Sequence, residues 1–407
     1  MRNILYLVHR LPYPPNKGDK VRSYNLLKHL AFNNNIYLGT FVDDPHDEIY
    51  IPVVQNLCAS LYFEKINKRY AEIFSLTGLF TGDALSLSYY RSSTFQIWVN
   101  KIIENNKIDA IVVFSSAMAQ FVPADFFSRT LVDFVDVDSQ KWSEYSDKKF
   151  FPMSWLYRRE GRALLKYERF LALKASHSFF VTEKERSLFT ALAPESSLKT
   201  SALNNGVDLD FFSPDKVFSY PFHREDVNCI HIVFTGAMDY WPNIDAVIWF
   251  VENVFSLLIK NNSNYRFYIV GRNPSPNILK LQSKFIFVTG TVDDVRSYLQ
   301  FSTLVVAPLR IARGVQNKIL EAMSMAKPVV ASGECVRAID STDGVHVLSA
   351  ETPLDFVEKI EYLINDKYRS NEIGQAARVN VYEKYSWNSH LKKIDEYLDF
   401  DKVEDIL

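Results

Sequence analysis

The chain has 407 residues, 47% of them hydrophobic, and at about 150 residues per domain it divides into two or three domains with a substantial core. Its 46 Lys and Arg against 48 Asp and Glu leave a net charge of -2, which excludes the chain-wide basic field of a nucleic-acid binder. A 14% aromatic content beside only 13 glycines excludes a disordered, collagenous or glycine-rich chain.

Cys58, Cys229 and Cys335 are widely separated, so reduced thiols are expected rather than a CxxC site or a disulfide framework. The opening MRNILYLVHRLPYPP holds a short apolar stretch, Ile4 to Val8, too brief for a signal-peptide core. The longest uncharged run, Ala110 to Ala124, falls short of the ~20 apolar residues of a membrane span. A cytoplasmic protein without a span is expected, and the basic segment described below offers a means of holding it at the inner face of the cell membrane.

The first half opens with a buried-strand run, ILYLV, a turn-rich loop, PYPPNKGD, and the helical pattern KVRSYNLLKHLA. Further apolar runs follow at IYLGTFV, AIVVF, TLVDFV and SFFVT, between helical stretches. Uninterrupted Val, Ile and Phe runs predict parallel strands covered on both faces. After Asn204 the polar segment NNGVDLDFFSPDKVFSYPFHREDVN predicts a linker. The strand and helix alternation then restarts: HIVFTG, a helix over about 243–259, RFYIVG, a helix near Leu279, FIFVTG, a helix near Val295, TLVVAP, a helix over about 316–326, and PVVAS. Helices over 354–365 and 387–398 close the chain. No repeat or sustained heptad interrupts this pattern.

The expected fold class is therefore α/β, two Rossmann-like domains with parallel sheets facing an interdomain cleft. The N-terminal domain spans 1–207 and the C-terminal domain 208–385, with a terminal helix over 386–407 packing back across the hinge.

Gly236, Gly271 and Gly290 end strands at the carboxyl edge of the second sheet, where ligands bind in open parallel sheets. Glycine there lets a backbone approach a nucleotide-sized ligand closely, although plain strand-to-helix turns need glycine too. In PLRIARGVQNKILEAMSMAKPVVAS, Gly314 precedes a helix start whose free N–H groups and dipole suit a diphosphate, with Arg313 and Lys318 supplying charge. Glu321 lies three residues after Lys318 on the same helical face, suited to a ribose diol or to a surface pair with Lys318. No G-x-G-x-x-G follows a strand, which disfavours NAD-dependent chemistry.

These stretches, with NGVDLDFF, FTGAMDYWPNIDAVIWF, YIVGRNPSP, VTGTVDDVRSYL, YEKYSWNSHL and, at the front, PYPPNKGDKVRSYNLLKHLA, give the chain a resemblance over nearly its whole length. It resembles the retaining family 4 glycosyltransferases of GT-B architecture, close to a subgroup associated with exopolysaccharide and PEP-CTERM (exosortase) systems. The resemblance implies a hexosyl- or related sugar transferase using a nucleoside-diphosphate sugar and a glycan or lipid-linked acceptor, in cell-surface polysaccharide or glycoconjugate biosynthesis, with no cofactor, no required metal and no nucleic-acid partner. It implies donor binding by Gly236, Arg272, Gly290, Val292, Gly314, Lys318 and Glu321. Of the family's two glutamates spaced by seven residues, Glu321 matches the ribose-binding second, and Arg313 stands where the sugar-contacting first would be. A basic residue that many relatives carry after the strand ending at Gly236 is absent, leaving Lys318, Arg313, Arg310 or Arg272 to meet the phosphates.

In the first half the resemblance puts Gly18 of Lys17-Gly18-Asp19 against the donor phosphate and acceptor, while Pro14, Pro15, Asn16 and Gly18 also suit a plain turn. Asp136 and Asp138, after TLVDFV, are candidates for the acceptor side or for capping the next helix. A metal-binding DxD role is disfavoured because a diphosphate-bound cation needs carboxylates beside the nucleotide domain. Catalytic assignments thus fall on Gly18, Asp136, Asp138 and Arg313. His9, at the end of the first strand, reads as a structural hydrogen-bonder and is not assigned as a base.

Between Lys141 and Lys174 nine Lys and Arg stand against four acidic residues, interleaved with Trp142, Tyr145, Phe150, Phe151, Trp155, Leu156 and Tyr157. That pattern fits a membrane-surface face over 141–174, or a solvated helix whose aromatics enter the core. Two rival functions share the nucleotide site. One is a nucleotide-sugar-binding protein without catalysis, suggested by Arg313. The other is a sugar-nucleotide epimerase on the same fold.

Overall fold

The computed structural model describes residues 1–15, 17–147, 149–310 and 315–400. The chain forms two compact units, one of Met1–Asn205 together with the residues from His390 onward, the other Gly206–Ser389.

In the first unit the apolar runs become β1 (Asn3–Val8), β2 (Asn35–Val42), β4 (Ala110–Phe114), β5 (Thr130–Val135) and β6 (His177–Phe180). Two strands that periodicity does not reveal join them: β3 (Ser60–Lys65), only half-buried, and β7 (Thr200–Ala202), three residues long. They form one parallel sheet in the order β3-β2-β1-β4-β5-β6-β7, with Val8 opposite Thr40 on one side and Phe114 on the other. Ile4 to Val8 are wholly buried, as a strand covered on both faces requires.

The helix Gly18–Asn33 buries Leu26, Leu27 and Leu30, and with them two charges. Arg22 donates to both oxygens of Asp133, at 2.7 and 3.0 Å, to the Leu203 carbonyl at 2.7 Å and to Asn205 Oδ1 at 2.9 Å. Lys20 donates to Asp47 at 2.5 Å. Buried charges are tolerated because each is paired and hydrogen-bonded.

In the second unit β8 (Ile230–Thr235), β9 (Tyr265–Val270), β10 (Ile286–Gly290), β11 (Leu304–Ala307) and β12 (Val329–Ser332) follow the predicted runs, and the three-residue β13 (Leu348–Ala350) is added. The order is β10-β9-β8-β11-β12-β13, all parallel, so strand order reverses between β8 and β11. The 19-residue helix Lys367–Tyr385 has no counterpart in the sequence reading, while the helix expected near Leu279 is one turn, Pro276–Leu279.

One expectation is corrected in this unit. Most of the expected linker is packed structure, because Gly206 onward belongs to the second unit. The Val207 N–H donates to the Tyr385 carbonyl, and the Arg296 guanidinium lies 3.6 Å from the Phe211 ring centroid and 4.8 Å from that of Phe218. Gln300 also donates to the Pro214 and Lys216 carbonyls. Trp241–Asn261 is a continuous 21-residue helical segment long and apolar enough, by length and composition, to cross a membrane. Its apolarity has another use: Ala246, Val247, Phe250, Val254, Phe255 and Leu258 enter the core.

Candidate functional site

A cavity of about 600 Å³ opens in the second unit at the carboxyl ends of β8 and β9, beside the β8–β11 reversal. Its volume lies in the range of small-molecule sites, and its position is where open parallel sheets bind ligands. The strands bring backbone to it. The Gly236 N–H donates to the Val270 carbonyl at 3.0 Å, and a Cβ on Gly271 would fall 1.7 Å from the Gly236 carbonyl oxygen. Gly271 is therefore required for the two strand ends to meet. Gly290, ending β10 at φ 68°, lies next to Thr291 and Val292, which line the cavity.

The helix Asn317–Ser324 supplies the charged wall. It begins after Gln316 with no side-chain cap among the described residues, so its first N–H groups face the cavity end of the helix dipole. Ile319, Leu320, Ala322 and Met323 enter the core, fixing the helix so that Lys318 and Glu321 line the cavity. Lys318 Nζ donates to Asn243 Oδ1 at 2.6 Å and sits 4.2 Å from the Phe234 ring centroid. Asn243 in turn donates to the Ala237 carbonyl at 2.9 Å, which aims its oxygen at the lysine.

Burial lowers the Lys318 pKa to about 8, against the opposing pull of Cys335 and Glu321. Burial raises the Glu321 carboxyl to about 7, with Lys318 only partly offsetting it. Among the described residues the two make no direct ion pair, and the Glu321 carboxyl has no hydrogen-bond partner; the surface Lys318–Glu321 pair is not formed. Glu321 itself is half-buried. Two groups poised near neutrality in one cavity mark a functional site.

Gly236, Arg272, Val292, Lys318 and Glu321 thus line one cavity. Arg272 is exposed and has no acidic partner within 4 Å among the described residues, whereas Arg310 is tied to Asp245, its Nε 3.0 Å from Oδ2. Arg313 and Gly314 lie outside the described residues. Asn243, Tyr240 and Thr235 also line the cavity, and sequence reasoning did not single them out. The signal for Asn243 was a polar residue one place after Pro242 in the first turn of a mostly apolar helix.

The remaining candidates belong to the first unit. Gly18 is the first residue of its helix, and a Cβ there would meet nothing within 4 Å, so its backbone is approachable. Asp136 and Asp138 both accept from Lys141 Nζ, at 2.7 and 3.0 Å. Burial opposes the Lys141 charge, but the two carboxylates outweigh it and raise its pKa above the ordinary lysine value. Among the described residues no three His, Cys, Asp or Glu side chains converge to hold a metal. His9 stacks on Phe114, with centroids 5.8 Å apart, and its Nε2 lies 3.5 Å from Asp19.

Residues 229–366 match the family model described as Glycosyl transferases group 1, a span that contains the whole described cavity. No curated protein matches the chain. Among solved structures, HepE (Alr3699) of Anabaena, crystallised with UDP, superposes with a TM-score of 0.59 at 15% identity over 98% of this chain and 99% of its own. A glycosyltransferase from Rickettsia africae gives 0.60 at 15% over 98% and 99%. Sucrose-phosphate synthase from Thermosynechococcus elongatus gives 0.59 at 12% over 97% and 98%. At these identities the likeness shows the fold, which is the α/β GT-B architecture expected from the sequence.

Proposed function

We propose that this chain is a glycosyltransferase that moves a sugar from a nucleoside-diphosphate donor, with retention of anomeric configuration, to a glycan or lipid-linked acceptor in cell-surface polysaccharide or glycoconjugate biosynthesis. The observation that carries this reading is the meeting of Lys318, Arg272 and Glu321 in one cavity, at the sheet reversal, with an uncapped helix start. The match of residues 229–366 to glycosyl transferases group 1 supports it, as does a solved complex of HepE with UDP-glucose.

In this reading the diphosphate takes the N–H groups at Asn317 and Lys318, the Lys318 ammonium and the Arg272 guanidinium, while Glu321 accepts from the ribose hydroxyls. An arriving dianion favours the protonated form of Lys318. The C1–oxygen bond to the diphosphate breaks with its electron pair leaving on the phosphate oxygen. The acceptor hydroxyl forms the new C1–O bond on the same face and gives its proton to that oxygen. The protein's contribution is stabilisation of the leaving group, with no protein nucleophile and no required metal. Gly18, Asp136 and Asp138 are the acceptor-side assignments.

Incubating the purified chain with a panel of nucleotide sugars, with and without glycan and lipid-linked acceptors, tests the reading. Nucleoside diphosphate released from a particular donor, accelerated by acceptor, is expected. Binding without release favours a nucleotide-sugar-binding protein, conversion of the donor without acceptor favours an epimerase, and no binding to any donor removes all three.

A further inference from the structure

Several exposed aromatic side chains of the first unit lie at or beside a second, basic cavity that the donor reading does not use. This cavity, about 630 Å³, is lined by Leu79, Phe151, Trp155, Arg158, Arg159 and Arg162 among others. Phe151 is 82% exposed and Trp155 56%, and the adjoining Phe80 and Phe150 are 93% and 92% exposed. Several neighbouring aromatics more than half exposed form an apolar patch of the kind that marks an interaction face.

The cavity is a constructed feature of the fold. In the helix Met153–Lys174, Glu160, Leu164, Glu168 and Leu171 are buried on one side. Trp155, Arg158 and Arg162, spaced three and four apart, form a stripe on the opposite side. The helix is held close to its neighbour Asp138–Asp147, since a Cβ on Gly161 would fall 2.8 Å from Ser143 Oγ and 2.9 Å from the Ser139 carbonyl. The other wall is pinned to the same helix. Arg159 donates to the Asp83 carbonyl at 2.6 Å and to the Gly78 carbonyl at 2.5 Å. Glu160 accepts from the Leu85 and Ser86 N–H groups at 2.6 and 2.9 Å. Arg159 and Glu160 thus position Leu79 and Phe80 beside the aromatics.

Arg158, Arg162 and Lys149 have no acidic partner within 4 Å among the described residues, so their charge is unspent within the protein. Local positive charge beside protruding aromatic rings, on a chain whose net charge is -2, is the complement of one surface: phosphate headgroups above an acyl boundary. We propose that this face of the first unit docks on an anionic lipid bilayer, with Phe80, Phe150, Phe151 and Trp155 entering the acyl boundary and Arg158 and Arg162 engaging lipid phosphates. The inference does not depend on the donor cavity.

Co-sedimentation of the full chain with vesicles of phosphatidylcholine alone, and of phosphatidylcholine mixed with phosphatidylglycerol, tests it. The chain should pellet with the mixed vesicles, stay in solution with the neutral ones, and detach as salt is raised. Arg158→Ala with Arg162→Ala, and separately Phe151→Ser with Trp155→Ser, should each weaken partition about tenfold or more, while Arg158→Lys with Arg162→Lys retains it. All four side chains changed line the cavity, and an unchanged melting temperature separates lost docking from lost fold. Equal partition onto neutral and anionic vesicles, no partition onto either, or variants that pellet like the parent chain would overturn the proposal.

Discussion

In the first unit Arg22 is enclosed with Asp133, Lys20 with Asp47, and Arg10 lies between Asp19 and Asp43. In the second unit Lys318 and Glu321 share a cavity wall without an ion pair, one pKa pushed down to about 8 and the other up to about 7. The three cations named in the first unit are each answered by a carboxylate, and the two groups in the cavity of the second are not. Where each charge meets its opposite, the network ties helix to strand; where burial exceeds pairing, the groups sit near neutrality and await a ligand. The lesson is that local pairing, more than the presence of charge, separates framework from site.

The sharpest way to break this contrast is at Arg22. Arg22→Ala leaves Asp133 buried and unpaired and should destabilise the chain by about 3–5 kcal/mol in urea unfolding. Arg22→Met with Asp133→Leu should recover most of that. A loss below about 1 kcal/mol for the single change would mean the network is not framework.

The next effect belongs to Glu321. Glu321→Gln removes a charge-assisted acceptor worth roughly 1.5 to 3 kcal/mol, so nucleoside-diphosphate affinity should fall ten- to a hundredfold by calorimetry. The parent chain should prefer a ribonucleotide over its 2′,3′-dideoxy analogue, and the variant should nearly lose that preference. Equal discrimination in both would remove Glu321 from the ribose.

The same substitution should act oppositely on the ligand-free protein. A carboxyl whose folded pKa is raised from 4.5 to about 7 holds its proton more tightly when folded, so the stability it contributes is present at low pH and lost as pH rises through about 7. At pH 8, Glu321→Gln should therefore melt higher than the parent chain, by about 1–2 kcal/mol, and the difference should vanish near pH 4. Since nucleotide binding asks for ionised Glu321 and protonated Lys318, affinity should be greatest between about pH 7 and 8 and fall on both sides. A flat profile would detach these two groups from the ligand.

The smallest effect is expected at Asp136 and Asp138. Both are partly exposed and share Lys141, so Asp136→Asn with Asp138→Asn should change stability by less than about 1 kcal/mol and leave nucleotide affinity unaltered. Transfer should also survive EDTA; activity lost in EDTA and restored by manganese would overturn the metal-free proposal.

Much of the fold was legible because strands covered on both faces write uninterrupted Val, Ile and Phe runs, as in AIVVF and TLVVAP. The strands β3, β7 and β13 were not, being half-buried or three residues long, too short for any period. Lys318, Glu321 and Gly236 were legible from spacing and from what they resemble. The Lys318–Asn243 bond was not, since 75 residues separate its ends and only the packing of two helices on one sheet brings them together. The polar composition of 206–228 hid its packing because the contacts are made by backbone carbonyls and by aromatic rings around one arginine.

The terminal helix gives the first unit an unusual order of assembly. His390, Leu391, Ile394 and Tyr397 belong to that unit, with Leu391 and Ile394 in contact with core and Tyr397 stacked 3.8 Å from the His177 ring centroid. Lys393 donates to the Ala202 carbonyl and Asp395 meets His29. During synthesis all seven strands of the first sheet leave the ribosome before the helix that covers its β6–β7 margin has been made, and the entire second unit is translated in between. A chain cut after Ser389 would keep every strand of both sheets and yet leave the β6–β7 margin of the first sheet uncovered, so dissection of this protein has to carry the segment from His390 with the first unit.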